Sequence, residues 1–204
     1  MLKYVEKFYK EKAVGGTMNK NLVIIYAYIM LECRLSIEKA SRIFRLDKDT
    51  FQNHLNFNIL PIEVIKALRY LEFETKSYGL DNKIGIFKAN LYIRKLRRIL
   101  AKYKGEERKK KLEDLVNDLK GPDIRFVLEK NIIGVMYTKE EKEQILKYRL
   151  KYAVSGKNME TIFHIDKGSI VKWEKELPED ELKFRLEILR KYLNYKYTGP
   201  RSRK

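Results

Sequence analysis

Ile162-Phe-His-Ile-Asp-Lys-Gly-Ser-Ile-Val-Lys-Trp-Glu-Lys-Glu-Leu177 decides how this chain reads, because something close to it occurs twice. The earlier version is Ile43-Phe-Arg-Leu-Asp-Lys-Asp-Thr-Phe-Gln-Asn-His-Leu55, 119 residues upstream. Both copies read Ile-Phe-x-[Leu/Ile]-Asp-Lys-x-[Thr/Ser] and then an apolar residue. Asp47 and Asp166 are expected N-caps, since an Asp there accepts from free backbone N–H groups two or three residues on. A short helical stretch precedes each, over 37–44 and 158–163, and only two residues separate its final Phe from the Asp. Helix, tight turn, helix is the helix-turn-helix pattern. The residues expected inward are Ala40, Phe44, Leu46 and Phe51 in the first copy, and Met159, Phe163, Ile165, Ile170 and Trp173 in the second. The turn has Arg45 and His164 where a Gly is usual. Glu160 stands where Ser41 gives the small side chain that lets helices pack closely, which predicts a more open angle in the second copy.

The likeness extends outward. A helical run precedes each copy, over 21–33 and 139–154, the second opened by the capping box Thr138-Lys-Glu-Glu141. A Pro-containing break and then an amphipathic helix follow each, over 59–71 and 177–193; Pro suits a helix start because its missing N–H is not needed there. The fold expected is all-α: two helix-turn-helix modules, 21–76 and 138–198, joined by a helical middle segment, 77–137. An N-terminal helix over 1–20 and a basic tail over 199–204 complete the division.

Composition agrees with helices. Among 204 residues Pro numbers 4 and Gly 10, and 44% are apolar, enough for real cores. Lys and Arg number 45 against 28 Asp and Glu, a formal +17, which points to a polyanionic partner, most often nucleic acid. Cys33 is the only cysteine, so an intrachain disulfide and a thiolate zinc site are excluded and a reducing, cytoplasmic setting is expected. It sits in an apolar run and reads as a small core residue. The longest apolar run, 22–31, is about half a membrane span, and the charged opening residues do not read as a signal peptide. No membrane partner is expected.

The second copy, Asp166-Lys-Gly-Ser-Ile-Val-Lys-Trp-Glu-Lys-Glu-Leu-Pro178 with its Leu-rich helix and basic tail, resembles the stage III sporulation regulators of Gram-positive bacteria. The resemblance covers roughly the last third of the chain, and 20–75 more faintly. It implies sequence-specific duplex DNA binding, with recognition-helix residues in the major groove and the C-terminal extension on DNA. This chain departs from the family in having two modules, no turn Gly and a shorter tail. Generic sigma-factor or phage-regulator helix-turn-helix units match nearly as well.

The exposed positions of a recognition helix are its first three and those one turn later. In the first copy these are Lys48, Asp49, Gln52, Asn53 and Asn56, where Gln and Asn can grip adenine through N6 and N7. In the second they are Lys167, Gly168, Val171, Lys172 and Lys175. Val171 suits a thymine methyl, and the lysines suit guanine or phosphate. Arg45, Thr50, Ser169 and Lys175 are the expected phosphate contacts of the modules.

In the middle segment, 81–104 and 106–119 read as helices, the first with Ile84, Phe87, Leu91, Leu96, Ile99 and Leu100 approximately on one face. That face is either intrachain core or a dimer seam. Arg94, Arg97, Arg98 and Lys102 form a basic stripe suited to phosphates. Arg201 and Arg203 in the tail suit a minor groove.

No catalytic set stands out. A phosphate-binding loop of the G-x-x-x-x-G-K-[ST] kind is missing, and His54 and His164 lie in different copies. No enzyme activity, cofactor or metal is therefore expected. The leading expectation is a bacterial or phage transcriptional regulator, monomer or homodimer, on double-stranded DNA. The alternatives are an architectural or recombination accessory protein, and a sigma-like adaptor binding RNA polymerase.

Overall fold

Two sets of four helices begin at one constant offset. The computed structural model describes residues 20–56, 60–79, 83–121, 123–133 and 136–198. The first unit comprises α1 (Lys20–Cys33), α2 (Ile37–Phe44), α3 (Lys48–Asn56) and α4 (Ile62–Tyr78). Then follow α5 (Lys83–Lys102), α6 (Gly105–Lys120) and α7 (Phe126–Ile133). The second unit comprises α8 (Lys139–Lys151), α9 (Gly156–Phe163), α10 (Lys167–Glu176) and α11 (Glu181–Thr198). Each helix of the second unit starts 119 residues after its counterpart. The described residues are all-helical, with no strand and no helix long and apolar enough to cross a membrane. The 1–20 helix lies outside the described residues but for Lys20, and the 199–204 tail lies outside them entirely.

Local signals explain the shared boundaries. The side chains of Ser36 and Ser155 accept from the backbone N–H of Lys39 and Asn158, at 3.2 and 3.1 Å, and so open α2 and α9. Asp47 and Asp166 open α3 and α10 by accepting from Thr50 and Ser169, both at 2.8 Å. The capping box is formed at Thr138 and Glu141. Helices α1 and α8 end on left-handed residues, Arg34 and Ala153. In each, the next N–H closes a six-residue ring, from Leu35 to the Met30 carbonyl and from Val154 to the Arg149 carbonyl, both at 3.0 Å. Helices α2 and α9 end on the left-handed Arg45 and His164 (φ 57° and 54°), the positions where the sequence lacks a Gly.

The first core centres on α1, whose Val23, Ala27, Ile29 and Cys33 are fully buried. Tyr26 stacks on Phe44 at 4.6 Å, and Phe51 meets both rings edge-on. Helices α5 and α6 pack on α1 and extend this core with Ala89, Ile93, Leu96, Ile99, Leu115 and Leu119. The buried face of α5 differs from the expected one. Leu96 and Ile99 are inside, but Ile84, Phe87 and Leu91 are 70, 65 and 47% exposed. The small Gly85 and Ala89 face inward in their place, where they allow close helix approach. The second core gathers Ile145, Leu146, Met159, Phe163, Ile165, Ile170, Trp173, Leu186 and Leu189, with Ile124 and Val127 from the α7 region.

The units touch directly. Tyr70 of α4 belongs to the second core, and Tyr152, at the end of α8, to the first. Glu74, 1% exposed, holds both Arg34 (2.7 Å) and Arg185 (3.1 Å), and Arg34 also reaches Glu181. Lys151 pairs with Glu32 and donates to the Leu119 carbonyl.

Candidate nucleic-acid interface

In both units the second and third helices pack on each other across a three-residue connection whose geometry the left-handed residue and the Asp cap fix. In the first unit Leu46 N–H reaches the Ser41 carbonyl at 2.9 Å, and buried Ser41 lets the turn close tightly. In the second, His164 N–H reaches the Glu160 carbonyl at 3.0 Å, and the Glu160 side chain stays in solvent. The residues expected inward are inside: Ala40, Phe44, Phe51, Met159, Phe163, Ile165, Ile170 and Trp173 are buried and Leu46 is half-buried.

The opposite faces of α3 and α10 are open. Lys48, Asp49, Thr50, Gln52 and Asn53 are exposed, as are Lys167, Gly168, Val171, Lys172 and Lys175, whereas Ser169 is half-buried. Asn56 ends α3, and its side chain lies outside the described residues. Lys48 and Gln52 also line a groove of about 620 Å³ with Ile65, Leu68 and Arg69 of α4, so they stand on the α4 side of the helix. The backbone N–H of Thr50 holds the Asp47 carboxyl below its usual range, which keeps this exposed cap anionic at neutral pH. At Gly168 a methyl group would meet Asp166 Oδ2 at 2.8 Å, so the missing side chain leaves the second cap room.

The basic stripe of α5 divides. Arg94, Arg98 and Lys102 recur every fourth residue, share one face and are exposed. Arg97 is half-buried to one side and has its own interactions. Lys95 is paired with Asp118 at 2.6 Å, and Arg108 donates to the Tyr103 carbonyl at 2.7 Å, closing the end of α5. Arg45 is exposed in its turn. Arg201 and Arg203 lie outside the described residues.

Sequence reasoning missed two ionic clusters. One is the clamp of Arg34, Glu74 and Arg185 between the units. The other is inside the second unit, where Glu174, 3% exposed, accepts from Arg149 and, at 2.6 Å, from Arg190. Burial lowers the Arg149 guanidinium to about 10, so it is charged at neutral pH. Superposing the copies by their offset would have flagged this cluster, because Arg149, Glu174 and Arg190 fall on Met30, Leu55 and Leu71, all buried.

Among the described residues no cluster of His, Cys, Asp and Glu could hold a metal ion. Burial pushes the Cys33 thiol up to about 12, which leaves it an unreactive core residue. The chain matches no protein-family model, no curated protein and no solved structure.

Proposed function

We propose that this protein is a non-enzymatic, sequence-specific regulator that binds duplex DNA through α3 and α10. The observation that carries the reading is the repetition itself. Twice, a short helix follows a left-handed turn, buries one face and leaves Lys at its first position and the exposed positions that follow it in solvent. A formal +17 makes a polyanion the natural partner. Lys48, Asp49, Gln52, Asn53 and Asn56 read one half-site, and Lys167, Gly168, Val171 and Lys172 read the other. Arg45, Thr50, Ser169, Lys175 and the α5 row of Arg94, Arg98 and Lys102 contact phosphates, with Arg97 beside them. Arg201 and Arg203 serve the minor groove. The setting is cytoplasmic, and transcription is the process served.

The test is selection of bound duplexes from a random library at physiological salt. A bipartite motif is expected, and Gln52→Ala with Asn53→Ala should erase preference in one half only. Replacing Arg94, Arg98 and Lys102 with Gln should weaken all sequences alike and reduce the salt slope by roughly 0.9 per lost contact. Binding without enrichment would replace this reading with an architectural one. No duplex binding would favour an adaptor on RNA polymerase, for which exposed Ile84, Phe87 and Leu91 offer an apolar contact.

A further inference from the structure

We infer that the two units are related by an internal two-fold axis, and hence that the DNA site is an inverted repeat with unequal halves, occupied by one chain. The inference about DNA rests on the reading just proposed.

Two repeated units in one chain can be related by translation, as in a stacked array, or by rotation. Translation keeps every pair of equivalent residues equally far apart. A rotation brings equivalents together only where they lie beside its axis. Here equivalents meet at two separate places. Phe73 and Tyr192, 119 residues apart, have ring centroids 5.0 Å apart. Glu32 and Lys151, again 119 apart, form an ion pair. The axis therefore passes by both pairs.

The helix directions set the angle. α4 and α11 are equivalent and pack on each other. In a parallel pairing Glu74 would lie beside its equivalent, Leu193. Instead Glu74, one turn after Tyr70, meets Arg185, one turn before Leu189, at 3.1 Å. Tyr70 donates to the Arg185 carbonyl at 3.3 Å and lies 5.3 Å from the Tyr192 ring. The helices thus run antiparallel and cross near Tyr70 and Leu189, which are themselves equivalent. Antiparallel crossing at equivalent positions is what a two-fold across both helices produces, and it is the self-complementary contact of a symmetric dimer. Glu32 and Lys151 agree, because each lies in the last turn of its helix and the two positions are equivalent.

A two-fold carries α3 and α10 to the same level along the axis, facing the same way along it. On DNA such a pair reads the two strands in opposite senses, as paired recognition helices do on palindromic operators. The halves cannot be identical. α3 offers Lys, Asp, Gln and Asn, and α10 offers Lys, Gly, Val and Lys at the matching positions. Because the units touch directly, through Glu74, Tyr70 and Lys151, the half-site spacing is a single value.

The experiment places the selected half-sites in synthetic duplexes in inverted and direct order, with spacing stepped one base pair at a time, and measures affinity and stoichiometry of the full chain. One inverted arrangement at one spacing should bind one chain, on the order of a hundredfold tighter than a lone half-site. A second protein, carrying Gly168→Asp, Val171→Gln, Lys172→Asn and Lys175→Asn, gives α10 the reading residues of α3. Its selected motif should become a perfect palindrome of the α3 half. Preference for a direct repeat, tolerance of any spacing, or a transplanted protein selecting the α3 half twice in the same orientation would overturn the two-fold and leave the proposed function standing. Failure of the original chain to enrich any motif would remove the function and the inverted repeat with it.

Discussion

The two units share their backbone and differ in what fills it. Both open their helices with the same Ser and Asp caps and end them on left-handed residues at matching positions. At three equivalent places the first unit has Met30, Leu55 and Leu71, and the second has Arg149, Glu174 and Arg190. One frame therefore accepts an apolar or an ionic filling. Caps and turns set where the chain bends, and any side-chain set that satisfies itself can occupy the space between.

That comparison can be broken most sharply at Glu174. Glu174→Ala leaves Arg149 buried without its anion and should cost about 3–5 kcal/mol in denaturant unfolding. Giving the second unit the first unit's residues, Arg149→Met with Glu174→Leu and Arg190→Leu, should be neutral or stabilising by about 1–4 kcal/mol, because no charge is then desolvated. A triple variant as unstable as the single one would mean the frames are not interchangeable.

The left-handed helix ends sharpen the contrast with a smaller effect. A non-glycine residue there costs about 1–2 kcal/mol. Ala153→Gly should recover roughly 1 kcal/mol of it, read as a higher melting temperature. Arg34→Gly at the matching position should destabilise, since it removes one of the two cations that hold Glu74. Equal signs at the two positions would deny Arg34 its role between the units.

The smallest effect concerns Cys33, which is equivalent to Tyr152. Its thiol should resist modification in the folded chain and react fully on unfolding. Its raised pKa also adds a sign to the pH dependence. The unfolded thiol ionises near 9.0 and the folded one at about 12, so the stability it contributes is complete below the first value and is lost as pH rises towards the second. Cys33→Ala should flatten the alkaline fall. Rapid modification of the native protein would place the thiol outside the core.

Much of the fold was legible in the sequence. The Asp caps and the Phe before each turn located α2, α3, α9 and α10 to within two residues, because capping and burial are local. The turns were harder, since Arg45 and His164 adopt the conformation that a search for Gly would miss. The buried face of α5 was misjudged for a different reason. Periodicity favours large apolar residues, but close packing on α1 selects Gly85 and Ala89 and leaves Ile84, Phe87 and Leu91 outside. Helix α7, only eight residues long, gives periodicity too little length to register. The ionic clusters draw partners from three separate segments of the chain, so no spacing within one segment announces them.

Glu32 against Lys151 has a consequence of another kind. Were the two units separate, identical chains, the residues meeting at this place would be the same residue, two acids or two bases repelling each other. Opposite charges can face each other there only because each copy is encoded separately. Joining the copies in one chain thus lets either half acquire a mutation that its counterpart does not share, so one half of the proposed DNA site can change while the other is kept.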